Sequence, residues 1–83
     1  MSTSVVWTDP AVRDLERHDS RTAQRVRRAV VQLAGDRRGD LKKLKGTDDS
    51  WRLRVGEYRV ILSFDHDQIT VYRVLPRQSA YRE

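Results

Sequence analysis

The sequence predicts an α+β domain of β-α-α-β-β-β order, in which an antiparallel helical hairpin packs on one face of a mainly antiparallel four-stranded sheet. Three observations support this reading. Apolar residues in the first half recur at helical spacing, the second half holds three short runs rich in Val, Ile, Leu, Tyr and Trp, and only brief turn segments separate those runs. At 83 residues the chain is expected to be one domain, residues 1–83, with a small core.

Ser4-Val5-Val6-Trp7 is the N-terminal β-rich run. Thr8-Asp9-Pro10 follows, a capping oxygen and then a proline where a helix can begin. Val12 and Leu15 give the first helix its apolar side, and Asp19-Ser20 breaks and recaps the chain. The second helix is expected from about Arg21 to Ala34, because Val26, Ala29, Val30 and Leu33 recur at i, i+3, i+4 and i+7. Gly35 suits its C-terminal cap. A polar loop from Arg37 to Ser50 leads to strands at Trp51–Val55, Tyr58–Phe64 and Ile69–Leu75. Gly56-Glu57 fits a two-residue type II′ turn, with glycine first.

Alternation along these strands sorts their side chains. Trp51, Leu53 and Val55 share one face with Tyr58, Val60, Leu62 and Phe64, while Arg52, Arg54 and Arg59 point the other way. With Gly56-Glu57 as the turn, Val55 pairs with Tyr58, Arg54 with Arg59, Leu53 with Val60 and Arg52 with Ile61. Arg54 opposite Arg59 is a like-charge pair, which destabilises a sheet. The acids considered near it, Glu57 and Asp48-Asp49, lie in turns. Either the guanidiniums surround an anion, for which their planar bidentate donors are suited, or long stems diverge over a solvated face. Arg77 falls just past the third strand, within reach of the same face. Tyr81 offers a ring for stacking or a phenol for proton transfer, or else packs on the sheet edge.

The charge distribution agrees with an anionic partner. Lys and Arg number 17 against 12 Asp and Glu, and residues 37–59 alone carry 8 basic and 4 acidic groups. Such focusing fits a nucleic-acid backbone or an acidic protein, and equally an arginine-rich solvated surface. The absence of cysteine excludes disulfides and thiol chemistry and fits a reducing compartment. No apolar run approaches the roughly 20 residues of a membrane helix, and Met1-Ser2-Thr3-Ser4 does not read as a signal peptide. The expectation is a cytoplasmic protein without membrane association. His18 and His66 read as surface residues, and no Asp/Glu/His constellation points to a metal or other cofactor.

Taken together, Lys42-Lys43-Leu44-Lys45-Gly46, Trp51-Arg52-Leu53-Arg54-Val55-Gly56-Glu57-Tyr58-Arg59-Val60 and Arg77-Gln78-Ser79-Ala80-Tyr81-Arg82 resemble the RelE family of the RelE/ParE toxin superfamily, over essentially the whole chain. The resemblance implies a toxin of a type II toxin–antitoxin system. Such a toxin cleaves translated mRNA in the ribosomal A site by attack of a ribose 2′-OH on the adjacent phosphate, without a cofactor. By position, Arg52 and Arg54 match the family's paired basic residues, Arg59 the arginine after the turn, Arg77 the late arginine and Tyr81 the late tyrosine. Lys42, Lys43 and Lys45, with Arg82, match RNA-docking positions. Pro76 stands where many relatives carry histidine, and arginine stands at paired positions where some carry lysine. The resemblance further implies a cognate antitoxin that covers the helices or the basic face, and contact with operator DNA only through that complex. Two other readings remain open: a ParE-like toxin that blocks DNA gyrase by protein binding, and a catalytically weak module that binds nucleic acid or its antitoxin.

Overall fold

The fold follows from two periodicities that must bury one common set of side chains. In a computed structural model, which describes residues 3–44, 50–65 and 67–76, the elements are β1 (Ser4–Trp7), α1 (Asp9–Arg17), α2 (Ser20–Asp36), β2 (Asp40–Lys43), β3 (Ser50–Val55), β4 (Tyr58–Phe64) and β5 (Gln68–Pro76). The strands form one sheet of order β1-β5-β4-β3-β2, antiparallel except for β1 beside β5. The helices cover one face. Val26, Val30 and Leu33 of α2 meet Leu53, Val60, Leu62, Ile69, Val71 and Val74 of the sheet in a single core.

The expected hairpin register holds at every pair, with Val55 opposite Tyr58, Arg54 opposite Arg59, Leu53 opposite Val60 and Arg52 opposite Ile61. Gly56 takes φ +58 at the first turn position, a conformation that suits glycine. The sheet has five strands rather than four, because part of the expected polar loop pairs with β3 as β2. Leu41 explains why: it is partly buried against the core opposite Leu53, which pins its neighbours into the ladder.

Both helices begin as the sequence predicts. Thr8 Oγ1 accepts from the Ala11 N–H at 3.3 Å, and Asp19 Oδ1 accepts from the Thr22 N–H at 3.2 Å. Their other details differ. The cap of α2 is Arg37 rather than Gly35, in the left-handed region at φ 59, with its N–H donating to Leu33 O at 2.9 Å. The Arg37 guanidinium lies 5.0 Å from the centroid of the Phe64 ring, a cation–π contact that offsets part of the left-handed strain. Gly39 then passes so close to the core that a Cβ there would sit 2.7 Å from Leu53 Cδ1.

On α1 the buried residues are Ala11, Asp14 and Leu15, while Val12 is 40% exposed. Leu15 is buried as expected, but Val12 is turned outward and Asp14 takes its place inside. Strand β1 pairs with β5 only from Gln68 to Val71, and a bulge leaves Tyr72 out of the β4–β5 register, between Val71 opposite Leu62 and Arg73 opposite Ile61. Backbone groups beyond Val71 consequently need other partners. The Thr8 hydroxyl is shared between the carbonyls of Val71 at 3.0 Å and Tyr72 at 3.1 Å. Asp14 Oδ2 accepts the Val74 N–H at 2.8 Å, and its carboxylate also takes Arg73 Nε at 2.8 Å and Nη2 at 3.2 Å.

His18 also departs from expectation. It is half-buried, its Nε2 is inaccessible to solvent, and its ring meets Tyr58 edge-on at 4.6 Å. Its place at the C-terminal cap of α1 brings it under the start of β4. His66 lies outside the described residues.

Burial alone raises the Asp14 pKa, but the bonds from Arg73 and the Val74 N–H, with the charges of Arg73 and Arg17, outweigh it and hold the carboxyl below 3.8. A lowered folded-state value contributes stability that is complete above the unfolded value and vanishes as pH falls through the folded one. Asp14→Ala is expected to cost about 2 kcal/mol by orphaning the Val74 N–H, a drop of roughly 10 °C in melting temperature for a domain of this size. It should also flatten the loss of stability below pH about 4. Thermal melts from pH 7 to pH 2 check both points, and a variant that melts with wild type would show that the clasp is not structural.

Candidate functional site

The face of the sheet turned away from the helices collects charge as a consequence of the apolar register on the other face. Asp40, Lys42, Arg52, Arg54 and Arg59 line a cavity of about 230 Å³ across β2, β3 and β4. Among the described residues, four cations against one carboxylate leave it net positive by three. Arg59 sits deepest, at 4% exposure, with Arg52 half-buried and Arg54 exposed beside it.

The ladder shows what each strand contributes. Arg54 stands between Arg59 on β4 and Asp40 on β2, so one neighbour repels it and the other attracts it. Arg52 stands between Ile61 and Lys42, so its charged partner is of like sign. Opposed Cβ atoms in a sheet are about 5 Å apart. Two unit charges about 7 Å apart at an effective dielectric of about 20 repel by roughly 2 kcal/mol. An anion in the cavity would convert that repulsion into shared attraction, with guanidinium forks able to donate in pairs to its oxygens.

Three of the expected catalytic residues, Arg52, Arg54 and Arg59, thus meet at one place together with Lys42. Lys43 does not join them. It is opposite Trp51 on β2, one residue along from Lys42, so alternation turns it to the other side of the sheet. Lys45, Arg77, Tyr81 and Arg82 lie outside the described residues. Asp40 is the residue that sequence reasoning missed. It sits two positions before Lys42 with the period of a strand, but the segment reads as a loop until its pairing with β3 is known. Farther along the same face, the Tyr72 hydroxyl lies 3.1 Å from Ser63 Oγ. Among the described residues, no three His, Cys, Asp or Glu side chains gather as a metal-binding group. Among them too, no helix is long and apolar enough to cross a membrane.

Crowded like charge leaves a signature in stability. Arg52→Gln removes a guanidinium that faces Lys42 and adjoins Arg54 and Arg59. It is expected to raise unfolding free energy by about 0.5–1 kcal/mol at low ionic strength, with the gain shrinking as salt screens the cluster. Urea unfolding at two salt concentrations measures this, and a destabilised variant at low salt would contradict the crowding.

The comparisons with known proteins agree with this arrangement. Residues 5–81 match the family profile described as ParE toxin of type II toxin-antitoxin system, parDE. Toxin RelE3 of Methanocaldococcus jannaschii is 30% identical in an 82-residue alignment that covers 93% of each chain. Among solved structures, the RelB-RelE antitoxin-toxin complex from Methanococcus jannaschii is similar at 27% identity and a TM-score of 0.77, covering 93% of this chain and 95% of that one. The archaeal RelE-RelB complex from Pyrococcus horikoshii OT3 is similar at 27% identity and a TM-score of 0.77, over 93% and 97% of the two chains. A helical hairpin on a five-stranded sheet, a cationic cavity on the opposite face, and relatives that match nearly end to end make this chain a member of the RelE/ParE superfamily, a RelE-family toxin of a type II toxin–antitoxin system.

Proposed function

We propose that the chain is a ribosome-dependent mRNA endoribonuclease whose reacting phosphate sits in the cavity of Arg52, Arg54 and Arg59. The observation that supports this most is the convergence of these three guanidiniums and Lys42 in one net positive cavity. In the reaction, a ribose 2′-oxygen attacks the adjacent phosphorus and the bond to the 5′-oxygen breaks. The products are a 2′,3′-cyclic phosphate and a 5′-hydroxyl. The 2′-proton leaves to a base, and the departing 5′-oxygen gains a proton. Arginine stays protonated above pH ~12 and is a poor base. The role of Arg52, Arg54 and Arg59 is to hold the charge that builds on the pentavalent phosphorane. Arg77 supplies a further positive charge for the same task. Tyr81, or a ribosomal group, takes the 2′-proton. The ribosome aligns the 2′-oxygen with the phosphorus, so free RNA is cut slowly.

The two solved relatives above are toxin–antitoxin complexes. By extension, this chain has a cognate antitoxin, with an acidic segment suited to a chain of net charge +5. That segment covers the helices or the cationic face, and operator DNA is contacted through the antitoxin. The match to the ParE profile favours a second reading, in which the same fold inhibits gyrase by protein contact without cutting RNA.

Induced expression of wild type beside Arg54→Ala, Arg77→Ala and Tyr81→Phe, with mRNA ends mapped by primer extension, separates the readings. The nuclease is expected to arrest growth with cuts inside codons of translated mRNA. Each arginine variant should lose about 10²–10³ in cleavage rate, the usual cost of one oxyanion donor. Growth arrest with DNA damage and intact mRNA would replace the nuclease with gyrase inhibition. Variants that arrest growth as wild type does would remove these residues from the mechanism.

A further inference from the structure

A second cationic cavity opens on the helix side of the same sheet edge. It has a volume of about 360 Å³ and is lined by Arg25, Arg28 and Gln32 of α2, by Arg38, and by Arg54 and Gly56 of the hairpin. Three features set it apart from a solvated basic surface. Among the described residues, no carboxylate lines it, whereas Asp40 offsets part of the charge in the first cavity. The Arg25 guanidinium lies against the hairpin turn, where a Cβ at Gly56 would come within 3.0 Å of Nη1 and 3.2 Å of Nη2. Glycine at position 56 therefore serves both the positive φ of the turn and the seat of this arginine. Finally, Arg54 lines both cavities. Strand β2 begins opposite it at Asp40, and the residues just before, Arg38 and Gly39, line the second cavity.

We infer that the groove between α2 and the β3–β4 turn is a second phosphodiester-binding subsite, continuous through Arg54 with the first cavity, and that it holds the RNA backbone outside the scissile linkage. The continuity favours a single polyanion crossing the sheet edge over a separate acidic protein partner. The inference rests on the RNA-cleaving reading, but its test needs no cleavage. The phosphodiester belongs either to the substrate strand or to ribosomal RNA, and the two sources separate experimentally.

The probe is a 2′-O-methyl single-stranded oligonucleotide of about 15 nucleotides, which lacks the attacking hydroxyl. Its binding to the full chain is followed by fluorescence anisotropy across a salt series, alongside binding of vacant 70S ribosomes. Arg25 and Arg28 are exposed on α2, so the Arg25→Gln/Arg28→Gln double variant should melt near wild type. It is expected to bind about tenfold more weakly at low salt, with the slope of log affinity against log salt reduced by about 1 to 1.5 for two lost contacts to single-stranded RNA. Arg25→Lys/Arg28→Lys should restore the slope, because the contact is one of charge. Arg38→Gln provides an independent variant from outside the helix. Loss with the oligonucleotide assigns the groove to the substrate strand, and loss with ribosomes alone assigns it to ribosomal RNA. Unchanged affinity and slope for both overturn the inference, as does a loss confined to binding of the antitoxin. A failed nuclease reading would appear instead as intact translated mRNA, whatever the salt slopes.

Discussion

The unpaired edge of β5 beyond Val71 is the constraint on which the rest of the molecule depends. A short first strand covers only part of that edge, and buried backbone groups left without partners are costly. Thr8 answers the carbonyls of Val71 and Tyr72, and Asp14 answers the Val74 N–H. These contacts fix where α1 starts and which way it faces. They also hold the bulge at Tyr72, after which Val74 returns to the core opposite Val60. Strand β4 is thereby registered, and with it Arg59. A carboxylate on a helix so sets the position of a guanidinium on the far side of the sheet.

That far side carries an electrostatic load that packing does not require. Arg52 faces Lys42 and Arg54 faces Arg59, two like-charge pairs in one small region, with Asp40 beside Arg54. Sheets ordinarily place opposite charges across such positions. Natural folds tolerate such conflicts mainly at functional sites, where a ligand supplies the missing complement. The apolar residues of β3 and β4 allow no relief by slippage, because moving the register by one residue would expose Leu53, Val60 and Leu62. The core thus holds the arginines together against their mutual repulsion. Such preorganisation favours a charged transition state, since the donors need little rearrangement when charge develops.

Gly56 joins the two basic regions. Its positive φ closes the hairpin that opposes Arg54 to Arg59, and its missing side chain leaves room for Arg25 from α2. One residue therefore couples the helix layer to the cationic edge of the sheet. Arg37 shows a related economy at the other end of α2, ending the helix in the left-handed region while its guanidinium rests on Phe64.

Much of this was legible in the sequence because its signals are local. The period of α2, the caps at Thr8 and Asp19, the Gly56-Glu57 turn and the strand alternation each involve residues a few positions apart, and together they fixed the hairpin register and the face of Arg52, Arg54 and Arg59. The three separated motifs were enough to identify the family. Tertiary structure decided what depends on distant partners. Leu41 became a strand residue only because β3 offered an edge and the core a place for its side chain. Lys42 and Lys43 parted to opposite faces for the same reason, and Asp40 entered the cavity with Lys42. Asp14 became the buried centre of α1, in place of Val12, because an unpaired N–H lay 60 residues away in the chain. Periodicity records what a segment prefers, whereas an orphaned hydrogen-bonding group on another element can outweigh that preference by the cost of leaving it unmet.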